Sequence, residues 1–525
     1  MIIIEIKSTE VSWTKKKQFS YPVHKEGLQN AFLILALGTM LLFGLYGCVM
    51  VGPDYVHPDV GVPAAYWNSK QELSGPAKSL DATTLSRWWT TLNDPELTSL
   101  IERAVQGNAD LREAKARVRE ARARRGAIAA EQFPSVDATA STSKIRSSEA
   151  VAVGGGIIQN QYSAGFDATW ELDLFGGIRR SIEATQADLE ASEADRSGVL
   201  VSLTAEVALN YIDLRSYQAR LTVAQSNRDA QEETFQITQW RFQAGLVTER
   251  DVEQAKSNLE QTRAQIPALQ TNLEAAKNRL AVLLGKYPGT LDKELSERKS
   301  IPAASIEIAV GVPADALRNR PDVRQKERNL AAQTARIGVS TADLYPKLSL
   351  TGSIGLEALT AKGLTLSDNR TWGISLPLTW NIFDAGRIRQ NIEVQNALQE
   401  QALIQYEASL LSALEEVENA LVAFAQEQGR REALSEADQA SQKAAELAKS
   451  QYESGLVDFQ VVLDAERSRL TVQDSLVQSE AAVTSDLIRL YKALGGGWKP
   501  MSSGANSKSE LKTVSREGTA PRRNS

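Results

Sequence analysis

Two stretches of this chain, QWRFQAGLVTERDVEQA at 239–255 and SQYESGLVDFQVVLDA at 450–465, are versions of one another, with Gly-Leu-Val starting at Gly245 and again 210 positions later at Gly455. The same spacing links Trp170 with Trp380, Gly176 with Gly386, Ile178-Arg179 with Ile388-Arg389, and Leu284-Gly285 with Leu494-Gly495. A spacing of 212 links Phe133-Pro134 with Tyr345-Pro346 and Asp110-Leu111-Arg112 with Asp322-Val323-Arg324. Whatever one unit forms, the other must form too, and units of roughly 200 residues are far longer than a solenoid repeat of about 20 to 50. We divide the chain into an N-terminal segment 1–47, an extended segment 48–90, a first repeat 91–290, a second repeat 291–498 and a tail 499–525. The tail contains Ser, Lys and Arg, lacks periodicity and is expected to be disordered.

Within each unit the hydrophobic period changes. From Gln161 to Leu172 it is two: Tyr162, Ala164, Phe166, Ala168, Trp170 and Leu172 alternate with Gln161, Ser163, Gly165, Asp167, Thr169 and Glu171. The second copy places Trp372, Ile374, Leu376, Leu378, Trp380 and Ile382 on one face, and Pro377 on the other face implies a bulge or an edge. Earlier strands start after Phe133-Pro134 and Tyr345-Pro346, so each copy offers one hairpin, at about 133–173 and 345–383, with polar loops near 147–160 and 357–371. Strands of about ten residues are long enough to cross a bilayer when tilted.

After each hairpin the period becomes helical. From Ile178 to Gln243 there is no Pro and only Gly198; from Ile388 to Ser454 there is no Pro and only Gly429. At 1.5 Å per residue each run makes a rod of about 100 Å. Leu200, Leu203, Val207, Asn210, Leu214, Tyr217 and Leu221 keep the three-four spacing of a seam against another helix. Gly245 and Gly455 turn the chain, and a second helical run returns toward Leu284-Gly285 and Leu494-Gly495. Pro267 is expected to interrupt the first return helix and has no counterpart in the second.

The N-terminus reads as a targeting segment, with Lys15, Lys16, Lys17 and Lys25 before an uncharged stretch from about Leu28 to Gly47. About 20 apolar residues would also span a membrane. The end of the run separates the two readings: Leu45-Tyr46-Gly47-Cys48 resembles the lipobox of bacterial lipoproteins, in which cleavage precedes a Cys whose thiol takes a diacylglyceryl group. Tyr46 departs from the small residue usual there, and Val49 in place of Asp resembles lipoproteins sent to the outer membrane. Cys48 is the only cysteine, so no internal disulfide can form.

Four strands cannot close a transmembrane barrel, for which about eight is the smallest size. An open sheet edge in lipid leaves backbone groups unpaired at several kcal/mol each. Strands in a membrane would therefore be pooled between at least two chains, and this argument does not fix the number.

CVMVGPDYVHP, RWWTTLNDPELTSLIERAVQGNADLREAKARVREARA, VPADALRNRPDVRQKERNLAAQTARIGVSTADLYPKLSLTGSIG and the closing YKALGGGW resemble the outer membrane efflux lipoproteins of the nodulation-protein-T type, relatives of the TolC and OprM channels. The resemblance runs from Cys48 to Trp498. It implies an α+β membrane protein: a homotrimer whose four strands per chain make a twelve-stranded β-barrel in the outer membrane of a Gram-negative bacterium, continued by a long α-helical barrel across the periplasm. It implies Cys48 as the lipid attachment point. It also implies an exit duct for small molecules, working with a periplasmic adaptor and an inner-membrane pump.

In that family the helical tips close the channel through charged side chains after the tip glycine. Asp464 and Arg467 match a gate aspartate and a nearby gate arginine, Val461 stands where some members carry a second aspartate, and Asp251 is the acidic candidate in the first copy. Asp464 and Arg467 are three apart and so share a helix face. The tip residues Gly245, Leu246, Val247, Gly455, Leu456 and Val457 are turn formers and candidate adaptor contacts. No catalytic, cofactor or metal site is expected. The two His are His24 and His57, GGG at 154 and 495 lacks the Lys-Ser/Thr of a phosphate loop, and a net charge of −6 with 24% charged residues gives no sign of nucleic-acid binding. Trp88-Trp89 reads as packing. The alternative is a non-conducting coiled-coil structural or adaptor lipoprotein of the envelope, which would not be expected to carry two hairpins of membrane-length strands.

Overall fold

The computed structural model describes residues 50–61, 85–146, 148, 156, 158–303 and 314–498. The targeting segment, Cys48 and the tail lie outside the described residues. Helices α1 (Pro95–Gly107) and α2 (Ala109–Ala130) lead into strands β1 (Ser135–Arg146) and β2 (Ile158–Leu172), then α3 (Gly177–Gln243) and α4 (Glu249–Leu283). The second copy repeats this with α5 (Pro321–Ala342), β3 (Lys347–Ala358), β4 (Arg370–Ser375), β5 (Leu378–Thr379), α6 (Arg387–Glu453) and α7 (Phe459–Ala493). Among the described residues no helix is long and apolar enough to cross a membrane.

The long helices α3 and α6 have 67 residues each. Each starts from a left-handed glycine, Gly176 at φ +81° and Gly386 at φ +88°, a conformation that side chains with a Cβ resist. An aspartate just before that glycine takes up free N–H groups of the first turn: Asp173 accepts from Ile178 and Arg179, and Asp384 from Gly386 and Ile388. The expected seam on α3 is filled, since Leu203, Val207, Leu214 and Leu221 are buried and Leu200 and Tyr217 pack against the same core.

One expectation needs correcting and one is narrowed to the edge alternative. Helix α4 runs unbroken from Glu249 to Leu283 through Pro267. Proline removes one N–H, and buried Leu259, Leu269 and Leu273 hold the helix on either side of it. Pro377 splits the last strand into β4 and β5 without a bulge. Thr351 pairs with Ser375 and Leu348 with Leu378, so the register is unchanged across the gap, and Ser349 N–H still donates to the Pro377 carbonyl at 3.1 Å. The proline sits on an edge strand.

The sheet order is β1-β2-β3-β4, all antiparallel, with β2 and β3 joining the two copies from Tyr162 opposite Ala358 to Leu172 opposite Leu348. This register puts Val136, Phe166, Ile354, Trp372 and Ile374 on one face, all exposed in the single chain. The other face is polar and laced across strands: the Thr139 hydroxyl donates to Asp167 at 2.8 Å, Ser141 meets Ser163 at 2.8 Å, and Gln161 donates to Glu357 at 2.5 Å. Trp170 and Trp380, the duplicated tryptophans, donate their indole N–H to the carbonyls of Gln132 and Leu344, closing the foot of each hairpin alike.

The helices α2, α3, α5 and α6 stand side by side in that order, with α4 packed on α3 and α7 on α6. At the waist a core forms from Trp88, Leu97, Ile101, Tyr211, Leu280 and Ile488, with Trp88 stacked on Tyr491 at 5.3 Å between ring centroids. Trp88-Trp89 is packing, as expected. Arg215, fully buried, is held there by Glu96 at 2.7 Å, Tyr211 at 3.0 Å and the Glu297 carbonyl at 2.8 Å.

Residues 50–61 form a strap across the outside of α3, α5 and α6. Arg180 donates to the carbonyls of Val51 and Gly52 and to Asp54, the Tyr55 hydroxyl donates to Glu327 at 2.8 Å, and Arg318 donates to the Val60 carbonyl at 2.7 Å. Gly52 is left-handed at φ +85°, and a Cβ there would lie 2.4 Å from the Gly338 Cα. Backbone meets backbone at this point, so Gly52→Ala should lift the strap, lowering stability by about 1 to 3 kcal/mol. Thermal unfolding and faster proteolysis near residues 50–61 would register the loss.

Candidate functional site

The end of the molecule farthest from the sheet is built from two helical hairpins whose turns match bond for bond. At the first, Gly245 N–H bonds the Phe242 carbonyl and Leu246 N–H bonds that of Arg241; at the second, Gly455 bonds Tyr452 and Leu456 bonds Gln451. Each is a Schellman cap, with its glycine at φ +74°. Val247 and Val457 turn inward onto a shared core of Ala255, Ala448, Tyr452, Phe459, Val462 and Leu463. Leu246 and Leu456 turn outward and are 69% and 76% exposed. The six tip residues therefore divide into turn glycines, valines that join the hairpins and leucines that face solvent.

The charged candidates take three different positions. Asp464 is exposed and accepts from Gln460, one turn earlier, at 3.0 Å. Arg467 shares its helix, but no ion pair joins the two; the Arg467 Nε instead donates to Asn258 of α4 at 2.9 Å, tying one return helix to the other. Asp251 belongs to the start of α4, where its Oδ2 accepts from both the backbone N–H and the hydroxyl of Thr248 in a capping box. Burial alone would raise its carboxyl pKa, but these two bonds and Arg250, 3.5 Å away, outweigh it and hold the group below the usual aspartate range. Asp251 thus stays ionised and fixes the tip's geometry, while Asp464 has no such structural duty.

Further contacts at the tips were not visible in sequence. Arg241 lies with its guanidinium 4.2 Å from the centroid of the Tyr452 ring and donates to the Tyr452 carbonyl at 3.1 Å, latching the first hairpin to the second. The position 210 residues after Arg241 is Gln451, so this latch exists in one copy only, and a search for differences between the copies would have found it. Deeper, the Thr234 hydroxyl of α3 donates to Glu466 Oε1 of α7 at 2.8 Å, while Glu466 Oε2 is buried without a partner. Burial raises the Glu466 pKa above the ordinary glutamate value, against the pull of Thr234, Lys449 and Arg469.

These features coexist with a sheet that has an apolar face, a hydrogen-bonded polar face and edges at β1 and β4 that pair with nothing among the described residues. Such a sheet suits a boundary between hydrocarbon and water. A family model described as outer membrane efflux protein matches residues 100–286 and 312–496. Nodulation protein T of Rhizobium leguminosarum bv. trifolii is 32% identical over 458 residues, 87% of this chain and 96% of that protein. The solvent efflux pump outer membrane protein SrpC of Pseudomonas putida is 32% identical over 471 residues, 89% of this chain and 98% of that protein. Among solved structures, the outer-membrane channel OprN superposes with a TM-score of 0.81 at 38% identity, covering 86% of this chain and all of that one.

The raised Glu466 carboxyl sets a pH dependence. A carboxyl whose folded pKa lies above its unfolded value favours the fold below about pH 4.3 and loses that contribution as pH rises through the folded value. Glu466→Gln should therefore gain on the wild type with rising pH. Melting temperatures at pH 4 and pH 8 test this: the advantage of the Gln variant should be larger at pH 8, on the order of a few degrees.

Proposed function

Since this chain belongs to the outer membrane efflux protein family, we propose that three copies of it close a twelve-stranded barrel in the outer membrane, each giving the four strands that end in the split β4-β5. The protein is the outer-membrane exit channel of a tripartite efflux system. In this reading α3 and α6 continue the barrel as a helical duct through the periplasm, and an inner-membrane pump with its adaptor supplies the cargo and the energy. The sheet carries the reading. Its apolar face, with Phe166, Ile354, Trp372 and Ile374 exposed, would meet lipid, and its polar face of Thr139, Asp167, Ser163 and Glu357 would meet the aqueous lumen. A coiled-coil spacer would have no use for such a sheet.

The tips form the gate. Asp464, exposed and free of structural bonds beyond Gln460, would give a ring of one carboxylate per chain, and such rings favour cations. Arg467 sets the spacing of the return helices through Asn258, and Asp251 adds its charge from the other hairpin. The exposed Leu246 and Leu456 offer the adaptor an apolar contact at each turn. Cys48 takes the lipid that tethers the chain's start to the outer membrane, and the adjoining strap at 50–61 fastens that start to α3, α5 and α6.

Detergent-extracted, unheated protein should have the mass of a trimer and give small, cation-preferring openings in planar bilayers. Asp464→Ala should weaken the cation preference; unchanged conductance and selectivity would remove the gate assignment, and a folded monomer would remove the barrel. Incorporation of labelled palmitate should be lost in Cys48→Ser, with the rest of the chain still folded.

A further inference from the structure

Charge is sorted between the two faces of the sheet. The register puts Asp137, Asp167, Glu171 and Glu357 on the polar face, with Lys347 as its cation. The face that carries Phe166 and Ile354 holds no carboxylate among the described strands, and its charged residues there are Lys144 and Arg146 of β1 and Arg370 of β4. All three are exposed, and all lie toward the end of the sheet away from the helices. Arg370 is the first residue of β4, opposite Leu356, and Lys144 lies two residues beyond the row Thr142–Tyr162–Ala358. Below them the face is uncharged down to Trp170 and Leu348.

The loop between β3 and β4 brings a fourth cation to the same border. Its turn at Ala361–Thr365 is tied down: Gly363 N–H bonds the Thr360 carbonyl at 2.9 Å, and Asn369 Nδ2 donates to the Gly363 carbonyl at 2.6 Å. Gly363 is buried, and a Cβ there would lie 3.0 Å from the Cβ of Ala358, a residue of the apolar face. The turn therefore folds over the apolar face, and exposed Lys362 is carried with it. Leu359 and Leu366 of the same loop are 58% and 60% exposed. The loop's carboxylate, Asp368, accepts from the Ser367 hydroxyl at 3.2 Å. Among the described residues Lys144, Lys362 and Arg370 form no ion pair.

A cation on a lipid-facing strand is costly at the middle of a bilayer and tolerated near its surface, where the long side chains of Lys and Arg bury their stems and reach with their heads for polar groups. Water alone would solvate carboxylates at that border equally well. A border of the apolar face that bears cations and no carboxylate on its strands draws its counter-charge from outside the chain, and at that depth the available anions are lipid phosphates.

We propose that Lys144, Lys362 and Arg370 bind the phosphate groups of the outer leaflet's lipid, a phosphorylated glycolipid of the lipid A type. The proposal rests on the barrel reading above, in which the helices occupy the periplasm and the opposite end of the sheet meets the outer leaflet. Arg370 offers a phosphate two parallel N–H donors, while the lysines act as point charges. Lys144 and Arg370 stand on the two edge strands, so closing the barrel would bring them onto adjoining strands of neighbouring copies. A lipid held there would lie over the junction between copies.

Native mass spectrometry of the detergent-extracted oligomer, with lipid A as the probe, tests the site. The wild type should retain lipid A several-fold better than phosphatidylethanolamine. Lys144→Gln, Lys362→Gln and Arg370→Gln combined should lose that preference while keeping the unheated oligomer. Lipid A stripped of its phosphates should bind the wild type no better than phosphatidylethanolamine does. Equal retention of lipid A by the wild type and the Gln variant overturns the site, as does equal retention of phosphorylated and stripped lipid A by the wild type; either result leaves the barrel standing. A monomeric wild type overturns the barrel itself. If the triple variant yields no oligomer, Arg370→Gln alone decides: reduced retention of lipid A supports the site and unchanged retention overturns it.

Discussion

Backbone hydrogen bonding at the sheet edges governs this protein. A peptide group facing hydrocarbon without a partner carries a penalty of several kcal/mol, and a strand edge presents such groups in a row. Strands β1 and β4 are edges of this kind, while β2 and β3 saturate one another across the two copies. In the barrel proposed above, satisfying the outer strands would bring chains together side by side, and helices rising from the ends of the strands would inherit the same circular arrangement.

Rigidity is distributed along the molecule accordingly. Near the sheet the strap and the buried Arg180 join α3 to the extended segment, and at the waist Trp88, Tyr491 and the buried Arg215 join helices from both copies. Toward the tips the links are a smaller apolar core around Tyr452 and Phe459 and a few polar contacts. Arg241 on Tyr452, Arg467 on Asn258 and Thr234 on Glu466 are single contacts between hairpins, and Glu466 keeps one buried oxygen unsatisfied. A smaller apolar core means a lower free energy of local opening at this end than at the waist.

The parts of the fold governed by local periodicity were legible in the sequence. Alternation at 161–172 marks β2, the absence of proline from Ile178 to Gln243 marks α3, and Gly245 and Gly455 mark the turns, because each depends on residues close together in the chain. What depended on neighbours distant in sequence was not legible. Helix α4 passes through Pro267 because leucines on both sides of it are buried, Leu269 and Leu273 in the core shared with α3. Pro377 keeps register because β3 dictates it. Arg467 shares a face with Asp464, as its spacing required, yet bonds Asn258, 209 positions away, and Asp251 is drawn into the cap of its own helix. The tip residues were found by their turn chemistry, while the latch at Arg241 was hidden by its lack of a counterpart.

The equal length of α3 and α6 has an evolutionary consequence. One residue inserted in a helix lifts its tip by about 1.5 Å and turns it by about 100°. A change in one copy alone would leave the two tips at different heights and facing different ways, tearing the shared core at Tyr452 and Phe459. Length can therefore drift only through matched insertions in both halves, in steps near seven residues that return each stripe to its seam. On this argument the reach of the duct would change only as a paired, stepwise trait, holding the two halves of the chain to a common length after their sequences diverge.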